Sequence, residues 1–281
     1  MIKNIMVCLD GSRHSDIACE YALHLSQQLS ARLTGLHILD SRMLEGPLMA
    51  DISGWIGAQP YGSQLQQFRD VLERKGETIV EAFNHRCEQA GIPADGALKM
   101  GHPSRVIVEE ENRTELLIIG QRGQHADIVG EALGSTAERV LRHSIKPCLV
   151  TPSEFQPINK IMAAYDGSGH ASQGLHVAIE LAKALNVELI ILTVTEGKEI
   201  AETERISAEG LKLAESHDCR ATNLIVENHR SSQGILESAQ EQECHLIVMG
   251  AYGHSRIREL ILGSTTMNLM TRSHLPVMLV R

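Results

Sequence analysis

A chain of 281 residues, 43% hydrophobic and 22% charged, has the length for two domains of ordinary size and enough apolar content to give each a buried core. Its formal net charge of -9 excludes a broad electrostatic surface for nucleic acid, which needs clustered Lys and Arg, and leaves open only a local basic pocket for a small anion. The six cysteines are scattered without a C-x-x-C pair, so no zinc ribbon or disulfide framework is expected, only reduced and mostly buried thiols.

The first residues, Met1 to Cys8, run straight into an apolar segment and a turn, with no small-residue cleavage site and no long hydrophobic stretch further on. Secretion and membrane spanning are not expected; the cytoplasm is. A first predicted strand over 3–9 ends at Asp10-Gly11-Ser12, and an amphipathic helix follows from Ser15 to Ser30. A second strand covers 32–39. The stretch from Ser41 to Gln64 then holds the single Trp (Trp55), two prolines and several glycines, and reads as a long irregular loop that is a lid, a pad or a surface excursion. A helix from Gln66 to Ala90 leads to strands at 95–100 and 115–119, a glycine-rich segment, and a last strand at 147–151.

Thr151 to Pro157 has the Pro and Ser content of a linker, which places a boundary near residue 155 between domains 1–155 and 156–281. Strands at 160–165, 187–194, 221–227, 245–249 and 276–280 follow, with helices at Ser172 to Leu185 and Ala201 to His217. Short Val/Ile/Leu-rich strands separated by helices describe parallel sheets covered on both faces. The fold class is α/β, with two tandem doubly wound five-stranded sheets.

The chain repeats itself. Asn4-Ile5-Met6 through Asp10-Gly11-Ser12-Arg13-His14 is echoed by Lys160-Ile161-Met162 through Asp166-Gly167-Ser168-Gly169-His170, and Leu133-Gly134-Ser135-Thr136 by Leu262-Gly263-Ser264-Thr265. Each Thr is followed eleven residues later by a Pro, Pro147 or Pro276, that opens the last strand. The first half exceeds the second by 26 residues between Asp and Gly120 or Gly250, most of it after the second strand.

Ligands of such sheets bind outside the carboxyl ends of the strands where strand order reverses, which points to Asp10 or Asp166 and to the segment after the fourth strand. That segment reads Gly250-Ala251-Tyr252-Gly253, nine residues, then Gly263-Ser264-Thr265. Glycines let a backbone bring its N–H groups close to an anion, and a Gly-Ser-Thr opening a helix adds hydroxyls to a positive helix end. It is neither a Walker loop nor a G-x-G-x-x-G fingerprint. Arg122, His125, His254, Arg256 and Arg258 could neutralise phosphate charge or simply face solvent. His14 and His170 recur at a helix start, where either could approach the ligand, or, since the dipole disfavours a protonated ring there, serve a neutral capping or surface role. No His or Cys spacing suggests a protein-held metal.

A strand ending in Asp, a second strand ending in an L-H-V-like sequence, and G-x-x-G-x9-G-[ST] before a helix and a short last strand resemble the universal stress protein family, twice over and across nearly the whole chain. The resemblance implies that the Asp and a main-chain position at the end of the second strand hold an adenosine, while the glycine loop and its Ser hold ribose and phosphates. Carried over, the site residues are Asp166, Val194, Gly250, Gly253, Gly263, Ser264 and Thr265 in the second half, and Asp10, Ile38, Gly120, Gly123, Gly134, Ser135 and Thr136 in the first. The first loop departs from the pattern, with ten residues including Gly130 between Gly123 and Gly134. Gly101-His102-Pro103 resembles a family turn that Asn228-His229-Arg230 lacks.

The cofactor implied is ATP, or AMP or ADP, with magnesium carried by its phosphates. No catalytic residue is assigned. A nucleotide-dependent sensor or regulator of the stress response is the leading reading, with a slow ATPase or phosphoryl-transfer enzyme and a non-nucleotide interaction scaffold as alternatives. The resemblance also implies that the last strands, Cys148 to Val150 and Val277 to Val280, pair antiparallel within the chain, and leaves a homodimer open.

Overall fold

The computed structural model describes residues 2–45, 62–124, 132–195, 197, 199–227, 230–251 and 262–281. Its strands are β1 (Asn4–Leu9), β2 (Arg32–Asp40), β3 (Ala94–Gly101), β4 (Leu116–Gly120) and β5 (Cys148–Thr151) in the first half, and β6 (Lys160–Ala164), β7 (Glu188–Val194), β8 (Ala221–Val226), β9 (Leu246–Gly250) and β10 (Val277–Val280) in the second. Their helices are α1 (Arg13–Leu29), α2 (Arg42–Glu45), α3 (Gly62–Gln89), α4 (Pro103–Glu110), α5 (Ser135–His143), α6 (Gly169–Leu185), α7 (Ile200–Ser216), α8 (Ser231–Glu241) and α9 (Ser264–Arg272).

The strand order is β3-β2-β1-β4-β5-β10-β9-β6-β7-β8, so the two expected five-stranded sheets are fused into a single ten-stranded one. Within each half the strands run parallel. At the seam β10 pairs antiparallel with β5, Val277 opposite Val150 and Leu279 opposite Cys148. Both seam strands are buried throughout and apolar but for Thr151, and as edges of separate sheets they would expose unpaired backbone groups beside hydrophobic side chains. The reversal at the seam also sets the carboxyl ends of β1–β5 and of β6–β10 along opposite edges of the sheet.

Side chains alternate across the sheet, as the period of a strand dictates. Ile5, Val7 and Leu9 face a core shared with Tyr21 of α1, Phe83 of α3, Leu175 of α6 and Ile206 of α7. Met6 and Leu117 face the other core, shared with Ile107 of α4, Val140 of α5, Ile235 of α8 and Leu269 of α9. Helices on both faces explain why β4 and β9 are buried at every residue.

The segment expected as a linker is held against α1. Gln156 N donates to the Tyr21 hydroxyl at 3.2 Å, Ile158 N donates to His24 Nε2 at 3.4 Å, and the Phe155 and Tyr21 rings meet edge-on at 4.8 Å. The two ends of the predicted 41–64 loop are helical, as α2 and the first turn of the 28-residue α3. Trp55 lies outside the described residues.

Candidate functional site

In each half the strand order reverses between the first strand and the fourth: β1 lies between β2 and β4, and β6 between β7 and β9. The crevice at their carboxyl ends is where a doubly wound sheet has room for a ligand.

In the first half the chain leaves β1 at Asp10, whose Oδ1 accepts from Ser12 N at 2.9 Å and so closes the turn into α1. Ser12 then caps α1 by accepting from Ser15 N at 3.2 Å. Asp10 Oδ2 faces Gly123, so closely that a β-carbon there would stand 2.7 Å from it. The Gln124 amide donates to the Asp10 carbonyl, tying the loop after β4 to the end of β1. Gln121 bonds through its N–H to Thr151 O and through its carbonyl to Gly134 N, both at 2.9 Å. Gly134 is the N-cap of α5 and makes no side-chain cap bond, while Ser135 and Thr136 form the first turn. Ile38 lies near the end of β2, opposite Lys99.

The second half repeats the design. Asp166 Oδ1 accepts from Ser168 N at 2.9 Å, and Ser168 caps α6 by accepting from Ala171 N at 3.2 Å. Val194 ends β7 and Gly250 ends β9. Gly263 is the N-cap of α9, again without a side-chain bond, and Ser264 and Thr265 open that helix. Gly253, His254, Arg256 and Arg258, like His125 and Gly130 of the first half, lie outside the described residues. The remaining carried-over positions sit at strand ends and helix starts along the carboxyl edge of their own half.

Two helix starts per half therefore differ in kind. Those of α1 and α6 have a serine oxygen on an early N–H, whereas those of α5 and α9 begin at glycine, which has no side chain to cap them, and among the described residues their first N–H groups meet no side-chain acceptor. Orphan donors at a positive helix end are the chemistry that receives an anion.

The glycines that end the fourth strands have a packing role that motif reasoning did not assign. A β-carbon on Gly250 would lie 2.5 Å from the His170 carbonyl carbon, and one on Gly120 would lie 2.9 Å from His14 Cβ. The first turns of α6 and α1 thus cross directly over these strand ends. The capping role expected for His14 and His170 belongs instead to Ser12 and Ser168, and His14 is buried rather than at the surface. The sequence reading also missed Gln121, Gln124 and His37. Buried His37 donates from Nδ1 to Leu9 O at 2.8 Å, and burial holds its pKa below the ordinary histidine value, which keeps the ring neutral.

Five of the six cysteines are buried, Cys8 partly so. Desolvation is the first cause of the raised thiol pKa at Cys19 and Cys148, each pushed to about 12, so neither supplies a thiolate near neutral pH. Among the described residues no cluster of three or more His, Cys, Asp or Glu is placed to hold a metal ion, and no helix is long and apolar enough to cross a membrane.

The universal stress protein family model matches this chain twice, over residues 1–152 and 157–281. Universal stress protein Slr1230 of Synechocystis sp. is 29% identical over 290 residues, spanning 100% of both chains. Universal stress protein Rv2005c of Mycobacterium tuberculosis is 24% identical over 300 residues, covering 99% of this chain and 96% of its own. Among solved structures, a universal stress protein from Archaeoglobus fulgidus superposes with a TM-score of 0.76 at 22% identity, covering 99% of this chain and 96% of that one, which speaks for the fold. Two family matches laid end to end, on a sheet that itself comes in two halves, make this chain a tandem member of the universal stress protein family.

Proposed function

We propose that the chain binds ATP, or AMP or ADP, in one or both halves and acts as a nucleotide-dependent sensor or regulator in the stress response. The observation that carries this reading is the pairing, in each half, of an aspartate at the end of the first strand with a helix that starts at an uncapped glycine on the same edge. The two features suit opposite ends of one ligand. The aspartate uses one oxygen for its own turn, and in the first half the other faces the loop, available to the polar edge of an adenosine. Backbone at Ile38 or Val194 lines the base, and the N-termini of α5 or α9, with Ser135 or Ser264, receive phosphates. A magnesium ion would arrive on those phosphates, since Mg²⁺ keeps its waters and binds mainly through phosphate oxygens.

Mass spectrometry of small molecules released from freshly purified protein tests the reading, followed by ATP titration of the full chain. One or two equivalents of adenine nucleotide are expected, and Asp10→Ala with Asp166→Ala together should weaken ATP binding at least about tenfold, the scale of losing a charge-assisted hydrogen bond at each site. Absence of any adenine nucleotide from the released material, together with no binding in the titration, would overturn it.

A further inference from the structure

The helices that start at the two glycine N-caps both end against the opposite half. In α5 the closing bond runs from Ser144 N to Val140 O, and in α9 from Ser273 N to Leu269 O. The next carbonyls, those of Leu141 and Met270, are the first that find no donor in their own helix. Each is the seventh residue of its helix, and each takes a donor from across the seam. Arg281 Nη2 donates to Leu141 O at 3.0 Å, and the side-chain amide of Gln121 donates to Met270 O.

The two donors are not equivalent. Arg281 follows β10, whereas Gln121 is the first residue after β4 and the base of the glycine loop. Gln121 is 7% exposed and bonded three ways: to Thr151 of the seam strand β5, to Gly134 at the start of α5, and to Met270 at the end of α9. Its counterpart in the second half is Ala251, whose N–H bonds Val280 O at 2.7 Å in the same manner but whose methyl can donate nothing. The N–H bond to the last strand is thus duplicated and the side-chain bridge is not. Since the carboxyl edges of the halves are opposed, this bridge joins the ligand-facing end of one half to the far end of a helix whose start faces the other ligand site. Helix α9 has nine residues and spans about 13 Å, a rigid element between the two.

We propose that Gln121 is a positioning residue that couples the two sites, so that a ligand on the first glycine loop changes affinity at the second through α9. This rests on the nucleotide-binding reading. A ligand that shifts Gly123 or the start of α5 shifts Gln121, and with it the end of α9, and the rigid helix carries that shift to its start beside the second site. Such coupling is reciprocal and, by the usual scale, about fivefold or more in affinity.

The test is a cycle on the full chain, with ATP as the probe. Crippling the first site with Asp10→Ala should change ATP affinity at the second site about fivefold in the otherwise unaltered protein, and not at all when Gln121→Ala is already present. Alanine is the natural residue at the matching position 251, and Gln121→Met, which keeps length and loses the donor, serves if Gln121→Ala does not fold. An unchanged second-site affinity in the first comparison, or the same change in both, overturns the proposal. Hydrogen exchange in 264–272 supplies a readout that needs no ligand. Gly134→Pro, which removes the N–H that donates to Gln121 O, should alter exchange there about threefold, and leave it unaltered in the Gln121→Ala background. If no adenine nucleotide binds at either site, the functional reading falls alone, and the exchange cycle decides whether the bridge couples the halves; no change in α9 would end the proposal as well.

Discussion

The two halves share the same turn after their first strand and differ in what supports it. Asp10 and Asp166 each accept from the second following N–H at 2.9 Å, and each turn is capped by the same serine. Behind the first turn stands His37, bonded to the Leu9 carbonyl. One strand register along, the second half places Thr193 at the matching position beside Tyr165, with a buried hydroxyl that meets no hydrogen-bond partner among the described residues. The loop of the first half is tied down by Gln124 and bridged by Gln121. Backbone geometry is thus common to the halves, because turns and helix starts admit few solutions, while the side chains behind it have diverged.

The strand-end glycines offer the sharpest way to test that shared geometry. Gly250→Ala should cost the most stability, about 3 kcal/mol, because the new carbon meets backbone of α6 at 2.5 Å; Gly120→Ala, at 2.9 Å, should cost about 1–2 kcal/mol. Gly263→Ala, with its nearest neighbour among the described residues at 3.9 Å, should be close to neutral. Urea unfolding of the three variants gives the order, and a Gly120 variant less stable than the Gly250 one would break the comparison.

Next in size is Gly123→Ala, which sets a methyl against Asp10 Oδ2 and should weaken ATP at the first site about tenfold while sparing the second, as read by titration of each single-site protein. A smaller effect concerns acid. Burial lowers the pKa of both His24 and His37, so the unfolded chain takes up protons that the folded one refuses. Stability should hold above the ordinary histidine value of about 6.5 and decline as pH falls from there through the depressed folded-state values. His37→Thr, which borrows the residue of the second half, should flatten that decline in unfolding curves taken at pH 7.5 and pH 5. The least change is expected from Thr193→Val: removing a buried hydroxyl that is unpartnered among the described residues should leave stability unchanged or raise it by about 0.5–1 kcal/mol in the same assay. A loss of more than that would mean the hydroxyl is engaged.

Most of the fold was legible because parallel strands buried on both faces must be apolar at every position, and because the chain states its pattern twice. The strand ends fell within a residue or two of expectation, from Asn4–Leu9 to Val277–Val280. The short helices α4 and α8 were not read, since eight and eleven residues give little room for a period to declare itself. At the sites, the aspartates and the glycine-started helices were visible as motifs. Other determinants were not: Gln121 reaches Met270 across 149 positions of sequence, and nothing local marks that glutamine as different from a surface one. The reason for Gly250 was likewise hidden, because the turn that crosses it begins some eighty residues earlier, at His170.

The seam between β5 and β10 has a further consequence for assembly. Two separate polypeptides meeting through those strands would obey mass action and come apart on dilution. Here both strands belong to one chain, joined through a short segment that is itself fastened to Tyr21 and His24. The partner strand is always present at a high effective concentration, so the pairing is independent of how much protein there is. A cell holding few copies would still have every copy assembled.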